Sequence, residues 1–113
     1  MEILSLRVRQ DTLDAIRCGR QREYSREIRP NTQSKYCDMD ENGYVKDIDG
    51  VLQPRHYDVV RFECGHESCA CKIEESYIEL FEDETGNLIT YTEKGDEYIA
   101  AQIVYILGNQ INL

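Results

Sequence analysis

The stretch Tyr98-Ile99-Ala100-Ala101-Gln102-Ile103-Val104-Tyr105-Ile106-Leu107 constrains this chain more than any other, because Gln102 alone interrupts a run of apolar and aromatic side chains. In a strand, successive side chains leave on opposite faces, so such a run must be covered on both. It is also far short of the ~20 apolar residues a membrane-spanning helix needs. The expectation is a central or barrel-closing strand, with the rest of the chain supplying its cover.

The rest of the sequence offers mostly short strands. Leu4, Leu6 and Val8 alternate with Ser5, Arg7 and Arg9, the period of a half-buried strand. Gln10 to Gly19 reads as a short helix. Asp11 is placed to cap its start, Leu13 and Ile16 lie one turn apart, and Gly19 suits the left-handed position after its end. Residues 21–29 return to a strand with Arg22, Tyr24, Arg26 and Ile28 on one face, ended by Pro30. Residues 31–55 hold Asn42-Gly43, Asp49-Gly50 and Pro54 and keep no period. They read as a long loop with at most a small hairpin around residues 44–47. From Tyr57 the pattern is strand throughout, with turns at Gly65–Ser68, at the acidic Glu82–Asn87 and at Lys94-Gly95-Asp96. The 113 residues suit one domain, which would bury roughly two-thirds of its unfolded surface. The predicted fold is α+β: a small β-barrel of about five to seven strands with one short N-terminal helix.

Charge is unevenly spread. The net charge is −9, yet residues 1–35 carry eight basic residues against five acidic ones, while the other 78 carry five against seventeen. An acidic chain is repelled by nucleic acid at long range, which argues against tight non-specific duplex binding. It leaves room for a local cationic pocket that takes one phosphate or a short flexible RNA. Arg22 and Arg26 offer fork-shaped donors, and Tyr24 between them offers a ring on which a base can stack. The alternative is that these arginines pair internally with the excess acid.

The order of these segments resembles the ASCH domain family, whose β-barrel is related to the PUA domain. The resemblance rests on the opening Leu4-Ser5-Leu6 and the helix end Asp14-Ala15-Ile16-Arg17-Cys18-Gly19. It continues through Arg20–Pro30, Tyr57-Asp58-Val59-Val60-Arg61-Phe62 and the closing strand near Ile99–Gly108. Only residues 31–55 fall outside it. The resemblance implies a PUA-like barrel and RNA- or nucleoside-handling. It also touches a branch of small amidohydrolases acting on acetylated cytidine, in which the turn after the helix reads Gly-x-Lys-x-x-Thr-x-Arg. There the Lys and Thr work with a Glu on a later strand. Here Gly19 and Arg26 match, but Gln21 stands at the Lys position and Tyr24 at the Thr position. Gln21 cannot accept a proton as a lysine amine can, and a tyrosine with an ordinary pKa near 10 is a poor nucleophile at neutral pH. The amidohydrolase activity is therefore not carried over, and whether the chain is an enzyme stays open.

Five cysteines are an odd number, and the opening Met1–Arg7 shows no secretion signal, so cytoplasmic thiols are expected in place of a disulfide framework. Cys64, His66, Cys69 and Cys71 fall within eight residues, but the Cys-x-x-Cys knuckle of zinc sites is absent. No metal and no cofactor are expected there, only small apolar groups at a strand end. The leading expectation is an RNA- or nucleotide-binding domain using a cationic cleft at residues 7–29, with Arg22, Tyr24 and Arg26 as contacts. One alternative is a hydrolase of RNA or a modified nucleoside using Tyr24, Gln21 and an acid such as Glu74 or Glu75. The other is a protein-interaction domain acting through its acidic surface. Short single-stranded RNA or a nucleotide is the expected partner, with a protein partner under the last alternative and no membrane under any.

Overall fold

A computed structural model describes all 113 residues. In chain order the elements are β1 (Ile3–Arg7), α1 (Gln10–Arg17), β2 (Glu23–Ile28), a 3-10 turn (Pro30–Thr32) and α2 (Gln33–Tyr36). They continue with β3 (Asp47–Ile48), β4 (Val51–Leu52), β5 (Val59–Cys64), β6 (Glu67–Leu80), β7 (Thr90–Glu93), β8 (Asp96–Ile99) and β9 (Ala101–Ile111). The fold is α+β, built on a curled five-stranded half-barrel sheet in the order β1-β5-β6-β9-β2, with a short helix near the N-terminus. Two small hairpins, β3–β4 and β7–β8, stand outside that sheet. The total is nine strands, more than the five to seven expected, because these hairpins are additional.

The chain divides into two compact units. The first comprises residues 1–24, 56–76 and 105–113, and the second residues 25–55 and 77–104. In the first, β1 runs parallel to β5 with Leu4 opposite Val60 and Leu6 opposite Phe62. Leu4 and Leu6 are buried while Ile3, Ser5 and Arg7 are exposed, the alternation expected from the sequence. α1 lies between β1 and β2 in the chain, packs on β5 and buries Leu13 and Ile16. Asp11 does not cap it. The cap position is Arg9, and Asp11 sits in the first turn, accepting the Thr12 N–H and favoured there by the helix dipole. β5 joins β6 through a two-residue turn at Gly65-His66, with Cys64 opposite Glu67. Gly65 has φ +60°, the backbone required at the first central position of a type II′ hairpin.

In the second unit, residues 31–55, expected as a long loop with at most a small hairpin, carry most of the 3-10 turn, α2 and the β3–β4 hairpin. Tyr36 and Cys37, from α2 and its end, are buried, and backbone bonds from Asp38 to Gln53, Lys46 to Asp38 and Gln53 to Lys46 tie three passes of chain together. The hairpin falls at Asp49-Gly50, beyond the expected residues 44–47. Both turn residues have positive φ (53° and 83°), as a type I′ turn needs. Lys94-Gly95 repeats that turn between β7 and β8. The apolar run Tyr98–Leu107 is not one strand. It breaks at Ala100, whose N–H donates to the Ile89 carbonyl and whose carbonyl accepts from Phe81. Tyr98 and Ile99 thus pair with β7, while residues from Ala101 enter the main sheet between β6 and β2. There Ala101, Ile103, Val104, Tyr105 and Leu107 are buried, the central placement expected of this run. No helix is long and apolar enough to cross a membrane.

Candidate functional site

Gln21 and Arg22 are positioned by the turn through which the chain leaves α1. The Gly19 N–H donates to Ile16 O at 3.1 Å, and the Gln21 N–H donates to Ala15 O at 3.0 Å. Gly19 has φ +81°, the left-handed position expected of it, so the chain reverses without a Cβ penalty. The Gln21 side-chain amide donates to Glu23 O at 3.0 Å. The Arg22 carbonyl accepts the Leu107 N–H at 2.8 Å, which seats the turn beside β9.

Within the first unit this arrangement borders a cavity of about 190 Å³ where Gln21 and Arg22 meet Cys71 and Glu74 of β6 and Gly108 and Asn109 of β9. Gly108 needs no unusual backbone, and its requirement is space. A Cβ there would lie 2.9 Å from Glu74 Cγ and 3.0 Å from Glu74 Oε1. A bare α-carbon is what lets the carboxylate chain lie along β9 at the cavity wall.

Three of the residues singled out from sequence are therefore brought together: Gln21, Arg22 and Glu74. Tyr24, Arg26 and Glu75 do not line this cavity. The half-buried Tyr24 ring meets the fully buried Phe62 edge-on, with centroids 5.1 Å apart at 69°. Much of that ring is thereby committed to the core. Arg26 falls in the second unit, half-buried in β2, and Glu75 is exposed on the face of β6 opposite to Glu74.

Several basic residues of the N-terminal third are held in ion pairs. Arg9 pairs with Asp11, Arg17 with Glu67, and Arg29 with both Glu27 and Glu93. Arg29 lies in the second unit, its guanidinium 4.2 Å above the Tyr91 ring. Arg20 Nε donates to Cys18 Sγ at 3.0 Å, and that bond holds the exposed Cys18 thiol below its ordinary pKa. Arg22 belongs to none of these pairs.

The cysteines divide by environment. Cys64 is half-buried at the hairpin beside the exposed His66, whereas Cys69 and Cys71 are buried opposite Phe62 and Val60. Burial first, then the neighbouring Cys69, pushes the Cys71 thiol up to about 12. A thiol so raised is neither a ready metal ligand nor a nucleophile at neutral pH. No three His, Cys, Asp or Glu side chains gather into a metal-binding group.

Two further cavities escaped the sequence reading. In the first unit, a half-open pocket of about 400 Å³ is lined by Arg17, Arg61, Ser68 and Gln110, among others, with no Asp or Glu side chain on the wall. Arg61 gives no periodic signal, and 43 residues separate it from Arg17, so only the fold joins them. In the second unit a cavity of about 580 Å³ is walled by Tyr44, Tyr91, Tyr98, Ile78 and Leu80, with Glu97 its one charged side chain. Tyr91 and Tyr98 are cross-strand partners and stack with centroids 5.7 Å apart.

The chain matches no protein-family model, no curated protein and no solved structure.

Proposed function

We propose that the first unit binds a nucleotide or a short single-stranded RNA, with one base held in the cavity between the α1–β2 turn and strands β6 and β9. The observation that carries this reading is the convergence of Gln21, Arg22, Glu74 and Asn109 on one small polar cavity. Gln21 and Asn109 can each donate and accept, Arg22 only donates, and an ionised Glu74 only accepts. Such a mixture suits the edge of an unpaired base, which carries donors and acceptors side by side. The volume, about 190 Å³, is below the ~300–1,000 Å³ typical of pockets that enclose a whole small molecule, so it fits one portion of a larger ligand. The reading accords with the ASCH resemblance, and a PUA-like barrel is the finer form of the fold that goes with it.

Arg22 takes the place at this site that Arg26 was expected to share, and Gln21 and Glu74 act as base-reading groups. Under the hydrolase alternative, Glu74 is the one carboxylate on the cavity wall able to accept a proton. The direct test is amide NMR of the labelled protein titrated with each of the four ribonucleoside monophosphates and with the hexanucleotides of uridine, cytidine and adenosine. Shifts confined to Gly19–Arg22, Glu74 and Gly108–Gln110 are expected with at least one of them. Shifts only in the tyrosine-walled cavity, or none at millimolar ligand, would remove the reading. Product formation in the same tubes, abolished by Glu74→Gln, would move it to the hydrolase alternative.

A further inference from the structure

In a chain of net charge −9, the Arg17–Arg61 cavity stands out because its wall carries two guanidinium groups and no acidic side chain. By contrast, the α1–β2 cavity sets Glu74 against Arg22, and the tyrosine-walled cavity carries only Glu97. The two arginines come from rigid elements. Arg17 is the last residue of α1, where the helix dipole favours a cation. Arg61 lies on β5, registered opposite Ser5 on one side and Ala70 on the other.

Each guanidinium is held from one side. Arg17 Nη1 meets Glu67 Oε1 at 3.1 Å, and Arg61 Nε lies 3.4 Å from Glu63 Oε1. Neither glutamate is on the cavity wall. A guanidinium has five N–H donors, so a single carboxylate contact orients the fork and leaves most of it available. Ser68 adds a hydroxyl.

Gln110 lines both the α1–β2 cavity and the Arg17–Arg61 cavity. Its amide nitrogen donates to Arg17 O at 2.8 Å and to Ile16 O at 3.4 Å, and its amide oxygen accepts from Cys69 Sγ at 3.3 Å. Held by hydrogen bonds at both ends of its amide, it stands on the wall of both the base-sized polar cavity and the cationic one.

Resting on the base-binding reading, we infer that the Arg17–Arg61 cavity is the phosphate subsite of the same ligand. The ligand is thus a phosphorylated nucleoside or an oligonucleotide, and not a free nucleoside or base. The two cavities divide recognition: hydrogen bonds beside Glu74 select the base, and charge beside Arg61 holds the phosphate. Arg22, with an acid across its own cavity, contributes to base recognition.

The test separates the two halves. Inorganic pyrophosphate is titrated into the labelled protein, followed by the amides of Ser68–Ala70 and Gln110 and the side-chain N–H of Arg61. A mixture of the four ribonucleosides is titrated in parallel. Pyrophosphate is expected to shift the Arg61 cavity in wild type and not in Arg61→Gln or Arg17→Gln. The hexanucleotide that binds wild type is expected to lose about fivefold or more in affinity in Arg61→Gln, with the salt slope falling by about 0.7 per lost contact. Arg61 is an exposed strand residue whose neighbours Val60 and Phe62 carry the core, so its replacement leaves the fold intact, and an unchanged thermal midpoint checks this. Nucleosides that bind while pyrophosphate shifts nothing near Arg61 would overturn this inference and leave the base-binding reading standing. A pyrophosphate response lost in both variants, with no response to any nucleoside or oligonucleotide, would keep an anion site but remove the base-binding reading. A pyrophosphate response unchanged in both variants marks indiscriminate anion association and overturns the inference.

Discussion

The two units of this chain differ in charge and in what their cavities offer. The first carries seven basic residues against nine acidic ones, and its base-sized and cationic cavities are polar and contain three arginines. The second carries six against thirteen, and its cavity is large, mostly apolar and lined by three tyrosines. One of its cations, Arg29, is occupied by two glutamates and a tyrosine face. The contrast shows that total charge is a poor guide to how charge is distributed among the cavities. A chain that is acidic overall still sets two arginines on one cavity wall that carries no Asp or Glu side chain, while most of its acid sits in the other unit.

The largest expected effect tests whether the first unit depends on the ring under Tyr24. Phe62 is fully buried beneath it, so Phe62→Ala should cost about 3–5 kcal/mol in urea unfolding. Tyr91→Ala in the second unit removes a half-buried ring from a stacked pair and should cost about 1–2 kcal/mol. Equal losses would erase this difference between the units.

Gly108→Ala sharpens the comparison at the site itself. The added Cβ would displace the Glu74 side chain, so affinity for the preferred hexanucleotide should fall about tenfold, the loss expected when a charge-assisted hydrogen bond is removed. Chain melting should change little, because the atoms that must give way belong to a flexible, exposed side chain. Binding unaffected by the substitution would mean that Glu74 is not part of the site.

A smaller effect concerns pH. Asp58 accepts the Glu2 backbone N–H at 2.7 Å and meets His56 at 3.0 Å, and these bonds, the backbone one first, hold its carboxyl below the ordinary carboxylate value. A group whose pKa is depressed on folding contributes stability above its unfolded pKa and loses it as pH falls through the folded one. Asp58→Asn should therefore lower the melting midpoint at pH 7 and flatten its decline below about pH 4. In the second unit Asp83 is depressed in the same sense by Thr85 and by the Asn87 and Thr85 backbone N–H groups. Because it holds only an exposed turn, Asp83→Ala should shift the midpoint least of all. A larger shift for Asp83 than for Asp58 would invert the comparison.

Much of the first unit was legible in the sequence because its signals are local. The period of two in β1 and the stop at Gly19 each depend on residues a few positions apart. Arg22 and Gln21 lie in that same local segment, just after Gly19. Tyr24, expected as a ring on which a base can stack, also packs edge-on against Phe62, 38 residues later, a contact that nothing local reveals. The second unit was less legible. Its hairpin at Asp49-Gly50 is anchored by backbone bonds among Asp38, Lys46 and Gln53, which leave no mark in side-chain pattern. The break at Ala100 was hidden within an apolar run, because side chains bound for two different sheets are equally apolar. The Arg17–Arg61 cavity was out of reach for the corresponding reason: a helix end and a mid-strand residue meet only once β5 has packed on α1.

The most direct measurement is fluorescence polarisation of labelled single-stranded hexaribonucleotides at two salt concentrations, with wild type, Arg22→Gln and Arg29→Gln compared. The expected result is binding that weakens with salt, falls about tenfold in Arg22→Gln and is unchanged in Arg29→Gln, because Arg22 borders the cavity proposed to hold the base and Arg29 is committed within the second unit. No binding by wild type at low salt, or binding lost in Arg29→Gln and kept in Arg22→Gln, would contradict the assignment of the site to the first unit.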